Sequence, residues 1–328
     1  MVTSSNSSEG IQNNGERYSW AAYFLFGLLS SLIGDTLVLV ASFQKGAFKL
    51  NKLLVTIMQH IAIADLGNAI TFLLPTIISL VADAWILGEA TCHFVVYVGY
   101  FLYSASMSLI AMLTTSKCLI LRYPLKAAHW SRQRVHLICS LIWAFSAMNS
   151  LIHLAFQKDE IYFQYKSYNC DYRYNKPVWK YLSPVIFFIY GVVPNVVIVA
   201  TTIPTLMYLA YAGKSARQVQ GSIPRQGALT VALTAIVFGI STLPFVLYQV
   251  VLNIIKEDPT KSLHTTIYRV TYFLLMINVI SNFYIYTLTV KSFRRFLLSR
   301  VLSNVPGSLK ISGTSIRAPS TGKTTEIK

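Results

Sequence analysis

The residue best placed to do chemistry is Asp65, a carboxylate inside a long apolar run at 53–82. An acid at membrane depth is costly and by default marks an ion, proton or switching site. The cysteines offer a second chemistry. Cys92, Cys118, Cys139 and Cys170 are too few for a disulfide scaffold but allow one or two bridges. The histidines (His60, His93, His129, His136, His153 and His264) are scattered, without the close His/Glu or His/Cys spacing of a metal site. No nucleophile constellation accompanies them. The chain reads as a non-enzyme, with no metal centre and no organic cofactor.

The elements that must position these residues are apolar. The 328 residues are 54% hydrophobic and 12% charged, with mean hydropathy +0.52. A soluble domain carries about twice that share of charge. The clearest element begins at Cys92: up to Lys117 it holds no formal charge, one histidine and no proline. At about 1.5 Å per residue it covers roughly 38 Å, enough for a bilayer core and part of its interfaces. Ser104, Ser106, Ser108, Thr114, Thr115 and Ser116 along it point to a helix surrounded by other helices. Hydroxyls bonding their own helix carbonyls are the bland alternative.

Seven apolar runs are long enough to cross a bilayer: 21–43, 53–82, 91–121, 135–156, 182–211, 228–255 and 265–290. A basic amphipathic piece follows at 291–302, with Phe293, Phe296 and Leu297 on one face. The sequence therefore predicts an all-α membrane protein, a seven-transmembrane helix bundle with a short eighth helix. Residues 1–20 read as an extracellular tail, 21–290 as the bundle, and 303–328 as a disordered cytoplasmic tail. The net charge of +16 suits nucleic acid in principle, but the charges lie in short loops between apolar runs. Nineteen of the 28 Lys and Arg residues and one acid fall on one side, against nine basic and nine acidic residues on the other. That asymmetry places the N-terminus outside and the tail inside, in contact with membrane lipid and not nucleic acid. The sequon at Asn6, as a glycosylation acceptor, and both Cys92 and Cys170 then lie in the oxidising compartment.

In order along the chain, several motifs resemble those of the rhodopsin-like (class A) G-protein-coupled receptors, over roughly residues 21–302. Gly34-Asp35 stands where that family has Gly-Asn, and Ile63-Ala64-Asp65 is similar to its second-helix motif. Trp85-Ile86-Leu87-Gly88 followed by Cys92 looks like its first outer loop and third-helix start. Trp143, Cys170, Pro194, Phe238 with Pro244, and Asn282-Phe283-Tyr284-Ile285-Tyr286 match its later landmarks. The last motif is also similar to that of some invertebrate peptide-type receptors. The resemblance implies a plasma-membrane receptor that binds an extracellular ligand and activates a heterotrimeric G protein. It further implies a Cys92–Cys170 bridge at the ligand entrance, and an ion and water site formed by Asp65, Ser106, Asn278 and Asn282. Asp35, in place of the family's amide, adds a second carboxylate there. The two acids either share a proton or hold Na⁺ more firmly than one acid would; the bland alternative is an Asp35 that is protonated and merely hydrogen-bonded.

The departures concern switching. Ser116-Lys117-Cys118 replaces the family's Asp-Arg-Tyr, and Ser241-Thr242 its Cys-Trp. Phe283 takes the place of proline after Asn282, and Thr202 that of the fifth-helix tyrosine. Lys117 keeps a cation but lacks both the planar fork and a carboxylate partner, which predicts a weakened inner lock, with a snorkelling helix-end lysine as the bland alternative. Tyr286, Phe238, Thr242 and Pro244 complete the expected switch set. The outer halves of the third, sixth and seventh runs contribute Tyr100, Tyr103, Tyr248, Gln249, Tyr268, Arg269 and Tyr272, an aromatic pocket for a small ligand or peptide end. Gly99, where amine receptors carry aspartate, disfavours a monoamine. Met276, where opsins carry the retinal lysine, disfavours a photoreceptor. The tyrosine-rich loop at 157–181 favours a peptide. Ser312, Thr314, Ser315, Ser320 and Thr321 in the tail are candidate phosphorylation sites for arrestin. Two alternatives remain: a decoy, chemosensory-type or otherwise non-signalling seven-helix receptor, and a transporter, although the halves show no internal repeat.

Overall fold

The structure is a computed structural model that describes residues 10–44, 47–48, 50–123, 125, 129–157, 161–172, 178–211, 222–255 and 262–303. Seven helices are long and apolar enough to cross a membrane. They are α1 (Asn14–Phe43), α2 (Lys52–Ala82), α3 (Glu89–Arg122) and α4 (Arg132–Gln157). Then come α5 (Trp179–Phe187 and Val193–Tyr211), α6 (Ser222–Ile255), and α7 (Ser262–Leu274 and Met276–Thr289). The basic eighth helix, α8 (Lys291–Ser303), follows after an extended Val290. The Asn6 sequon and the tail sites lie outside the described residues. Below, the "outer" end is the one bearing Cys92 and the "inner" end the one bearing α8.

The helices start where polar residues satisfy their first amides. Asn13 Oδ1 accepts from Gly15 N at 2.8 Å, which starts α1 well before the apolar run at 21. Asn51 Oδ1 does the same for Leu53 N at 3.0 Å in α2. Gly88, at φ 82, sets the turn into α3, and its carbonyl accepts from Trp85 Nε1 at 2.7 Å. Prolines explain two irregularities. Pro75 and Pro194 have no N–H to donate, and each follows a one-turn π segment, Ala69–Leu73 in α2 and Phe188–Val192 in α5. In α7 the irregular point is Leu275, spanned by short-range bonds from Leu275 N to Tyr272 O (3.2 Å) and Asn278 N to Leu275 O (3.1 Å). Beyond it, Asn282–Tyr286 is continuous helix, because Phe283 donates its amide where a proline would not.

α3 is the central element and packs against α2, α4, α5 and α6. Its small residues explain this close approach. Ser104 accepts from Asn149 Nδ2 of α4 at 2.7 Å, and Thr114 meets Thr201 of α5 at 3.1 Å. Thr115, by contrast, only bonds the Ala111 carbonyl of its own helix. Apolar side chains form two main clusters. The inner one runs from Val38 through Ile57, Ile110 and Phe238 to Tyr286, and Phe293 of α8 seals it, stacked on Phe48 at 4.7 Å. Phe296 and Leu297 pack on the same cluster, so the apolar face of α8 lies where its spacing put it.

The outer cluster includes a β-hairpin from the segment 157–181, whose sequence reads as loop. Strands β1 (Ile161–Gln164) and β2 (Asn169–Tyr172) form an antiparallel hairpin with Phe163 opposite Cys170. Phe163, Tyr168 and Tyr172 are fully buried against the helices.

Candidate functional site

The inner half of the site is built on Asp65, completely buried in α2. Its Oδ1 accepts from Ser106 Oγ of α3 at 2.9 Å, and its Oδ2 from Asn282 Nδ2 of α7 at 2.6 Å. Three helices thus meet on one carboxylate, and charge-assisted bonds of this kind are the strong ones. Asp35 of α1, 1% exposed, accepts from Ser31 Oγ one turn earlier. Asn278 is buried on the same helix as Asn282, but the two bonds to Asp65 come from Ser106 and Asn282. Asn282 Oδ1 is buried and has no hydrogen-bond partner among the described residues. The Asp65 carboxylate, the Ser106 hydroxyl and the spare Asn282 amide oxygen form an oxygen donor set that suits a hard monovalent cation.

The glycine that precedes Asp35 sits at a close contact between helices. A Cβ added at Gly34 would stand 2.6 Å from Phe283 Cβ and 2.9 Å from its Cδ1. α1 and α7 touch here through bare backbone on one side and an aromatic ring on the other. Phe283, which replaces the expected proline, therefore has a packing role, and it meets Phe293 edge-on at 6.3 Å.

Toward the inner end, Lys117 is 3% exposed, and its Nζ has no partner among the described residues. Ser116 is buried beside it and Cys118 half-buried. Tyr286 OH and Thr202 Oγ1 are likewise buried without partners among the described residues. In α6, Phe238 is 1% exposed within the inner cluster. Thr242, one turn on, donates to Asn195 Oδ1 of α5 at 3.0 Å, and Pro244 follows it inside the helix. Asn195 in turn donates to Gly191 O at 2.8 Å, a carbonyl within the widened turn of α5. Sequence reading missed that α5–α6 contact. It also missed the chain from Trp143 Nε1 to His60 Nδ1 (3.1 Å) and on from His60 to His136 (3.2 Å). The offsets between helices that create these pairs have no sequence signature.

At the outer end Cys92 and Cys170 are disulfide-bonded, with Cα atoms 5.5 Å apart, which ties β2 to α3. Tyr100 donates to Asp171 Oδ1 at 2.9 Å. Tyr268 and Tyr272 of α7 stack at 5.5 Å, and Tyr248 of α6 lies 6.2 Å from Tyr268 with its hydroxyl on His264 O. Gln249 is half-buried beside Tyr248. Arg269 Nε donates to Lys166 O of the hairpin at 3.4 Å. Tyr103 packs on the inner cluster, apart from these tyrosines. The hairpin thus packs its own residues onto this aromatic set, Tyr172 against Tyr100 and Lys166 over Tyr268.

The hairpin tip is latched further. Tyr168 OH donates to Asp83 Oδ1 (3.0 Å) and accepts from Ile11 N (2.9 Å), while Arg17 pairs with the other Asp83 oxygen. Asn169 Nδ2 reaches Thr76 Oγ1 of α2 at 3.1 Å. Burial pushes the Tyr168 hydroxyl above its ordinary value, partly offset by the Ile11 amide. Burial also raises the Asp171 carboxyl, against the opposing effects of the Tyr172 amide, Tyr100 and Lys166.

A family model described as "7 transmembrane receptor (rhodopsin family)" matches residues 34–286. The chain belongs to this family, a family of G-protein-coupled receptors and not of enzymes. It is a multi-pass membrane receptor. No individual curated protein matches the chain.

Proposed function

We propose that this chain is a plasma-membrane receptor with its N-terminus outside. It takes an extracellular ligand, a peptide in preference to a small molecule, at its outer end and activates a heterotrimeric G protein from its inner end. The observation that carries the reading is the convergence of α2, α3 and α7 on Asp65 through Ser106 and Asn282. A buried polar node shared by three helices has few satisfied arrangements, so helix packing there is discrete and able to switch. Asp35, Asp65, Ser106 and Asn282 would hold Na⁺, whose charge would relieve the repulsion between the two acids. Thr242 and its Asn195 contact would couple movement of α6 to α5. Lys117 would present its cation to the G protein, and the Ser/Thr-rich tail would recruit arrestin after phosphorylation.

A second reading, a non-signalling or decoy receptor, draws on Lys117 itself. Its ammonium is buried and without a partner, while Ser116 offers no carboxylate to hold it in a closed lock. Reconstituted receptor, a panel of G proteins and a peptide library, with nucleotide exchange as readout, separate the two. Ligand-dependent exchange on at least one G protein supports signalling. Saturable peptide binding with no exchange on any of them supports the decoy.

A further inference from the structure

The aromatic set at the outer end is not bare surface. Lys166, in the hairpin turn, holds its ammonium 4.3 Å from the centre of the Tyr268 ring. Asp171, bonded to Tyr100, lies close enough to feel the same charge. An aromatic face with a carboxylate nearby, in a partly desolvated place, is a cation subsite. Here the cation comes from the receptor itself.

Only a side chain needs to leave for another cation to enter. The hairpin backbone is held by the Cys92–Cys170 bond, by Asn169 on Thr76 and by Tyr168 on Asp83. None of these contacts uses the Lys166 ammonium, which sits on a flexible four-carbon stem in a half-buried residue. Charge balance favours exchange over addition. Arg269 already places a second cation on Lys166 O, and among the described residues Asp171 and Glu16 carry charge that reaches this pair. A cation that replaces Lys166 leaves the local charge unchanged.

We propose that the face of Tyr268 covered by Lys166 is the receptor's subsite for an ammonium or guanidinium group, occupied at rest by Lys166, and that the ligand is a peptide whose basic side chain displaces it. This rests on the receptor reading and assigns the chemistry of its ligand. The hairpin then serves as a tethered competitor, so affinity depends on expelling one lysine and not on opening the whole loop.

The test uses the full chain in nanodiscs with Nα-acetyl-lysine methylamide as probe and saturation-transfer NMR as readout, which needs no G protein. Lys166→Gln empties the subsite and should bind the probe at least about twofold more tightly than wild type, since a tethered competitor at about millimolar effective concentration halves the apparent affinity of a millimolar site. Lys166→Arg keeps a resident cation and should behave like wild type. Tyr268→Leu, added to Lys166→Gln, should abolish the gain, and Nα-acetyl-norleucine methylamide should not bind. Equal probe affinity for wild type and Lys166→Gln overturns the proposal, as does equal binding of the norleucine probe. Preference of wild type for an Nα-acetyl-glutamate probe over the lysine probe would also overturn it, by marking an anion subsite. If Lys166→Gln does not fold, wild type must still lose its cation–ring contact at millimolar probe, read as a shift of labelled lysine; no shift refutes the idea. Probe binding without peptide-driven nucleotide exchange would leave the subsite standing while the signalling reading fails.

Discussion

Replacing Gly34 by alanine should damage this receptor more than any ordinary helix glycine substitution, which would gain helix propensity. The new Cβ would meet Phe283 at 2.6 Å from Cβ and 2.9 Å from Cδ1. Rotating the ring cannot relieve the first contact, because Cβ moves only with the α7 backbone. Overpacking of this kind costs about 1–3 kcal/mol. Asp35 is the next residue, so the same displacement of α1 from α7 should move it relative to Asp65 and weaken the sodium dependence expected of that pair. Thermal unfolding in nanodiscs, with and without Na⁺, measures both effects. Phe283→Ala removes the Cδ1 contact but leaves Cβ, while Phe283→Gly removes everything. The Gly34→Ala penalty should therefore shrink in the first background and vanish in the second, a coupling on the order of 0.5–3 kcal/mol. A neutral Gly34→Ala, or the same penalty in all three backgrounds, would refute the close approach of α1 and α7.

Three more outcomes are expected. Asp35→Asn should flatten the Na⁺ and pH dependence of ligand affinity or thermal stability, because one acid remains where two faced each other; unchanged dependence on both would sink the coupling. Asp171→Asn should be more stable than wild type near neutral pH. Burial holds the Asp171 carboxyl above its ordinary value of 3.8, so its ionisation penalises the folded state above its folded pKa and not below 3.8. The gap in melting temperature between variant and wild type should close as pH falls toward 3.8, and a constant gap would contradict the sign. Lys117→Ala should stabilise the resting protein by removing an unpartnered buried ammonium, by about 1–3 kcal/mol, and should lower exchange on the cognate G protein. Identical exchange from wild type, Lys117→Arg and Lys117→Ala would make Lys117 a passive helix-end residue.

Much of this protein was legible in its chain, for a simple reason. A bilayer imposes length and apolarity on each span locally, so seven runs, their order and the amphipathic α8 follow from sequence alone. The order of short motifs likewise carried the family, which the match over 34–286 established. Asp65 was conspicuous because a carboxylate in an apolar run is expensive wherever the helix points. Other features depend on how helices are offset and rotated against one another, which periodicity does not encode. The Gly34–Phe283 contact, the Thr242–Asn195 bond, the Trp143–His60–His136 chain and the place of Tyr103 on the inner cluster are of this kind. The hairpin is the clearest case. Its strands are short and its tyrosines read as loop, yet the Cys92–Cys170 bond and the helix tops bury it. Only that tertiary placement sets Lys166 over Tyr268, among the aromatic residues that sequence alone had marked as open to a ligand.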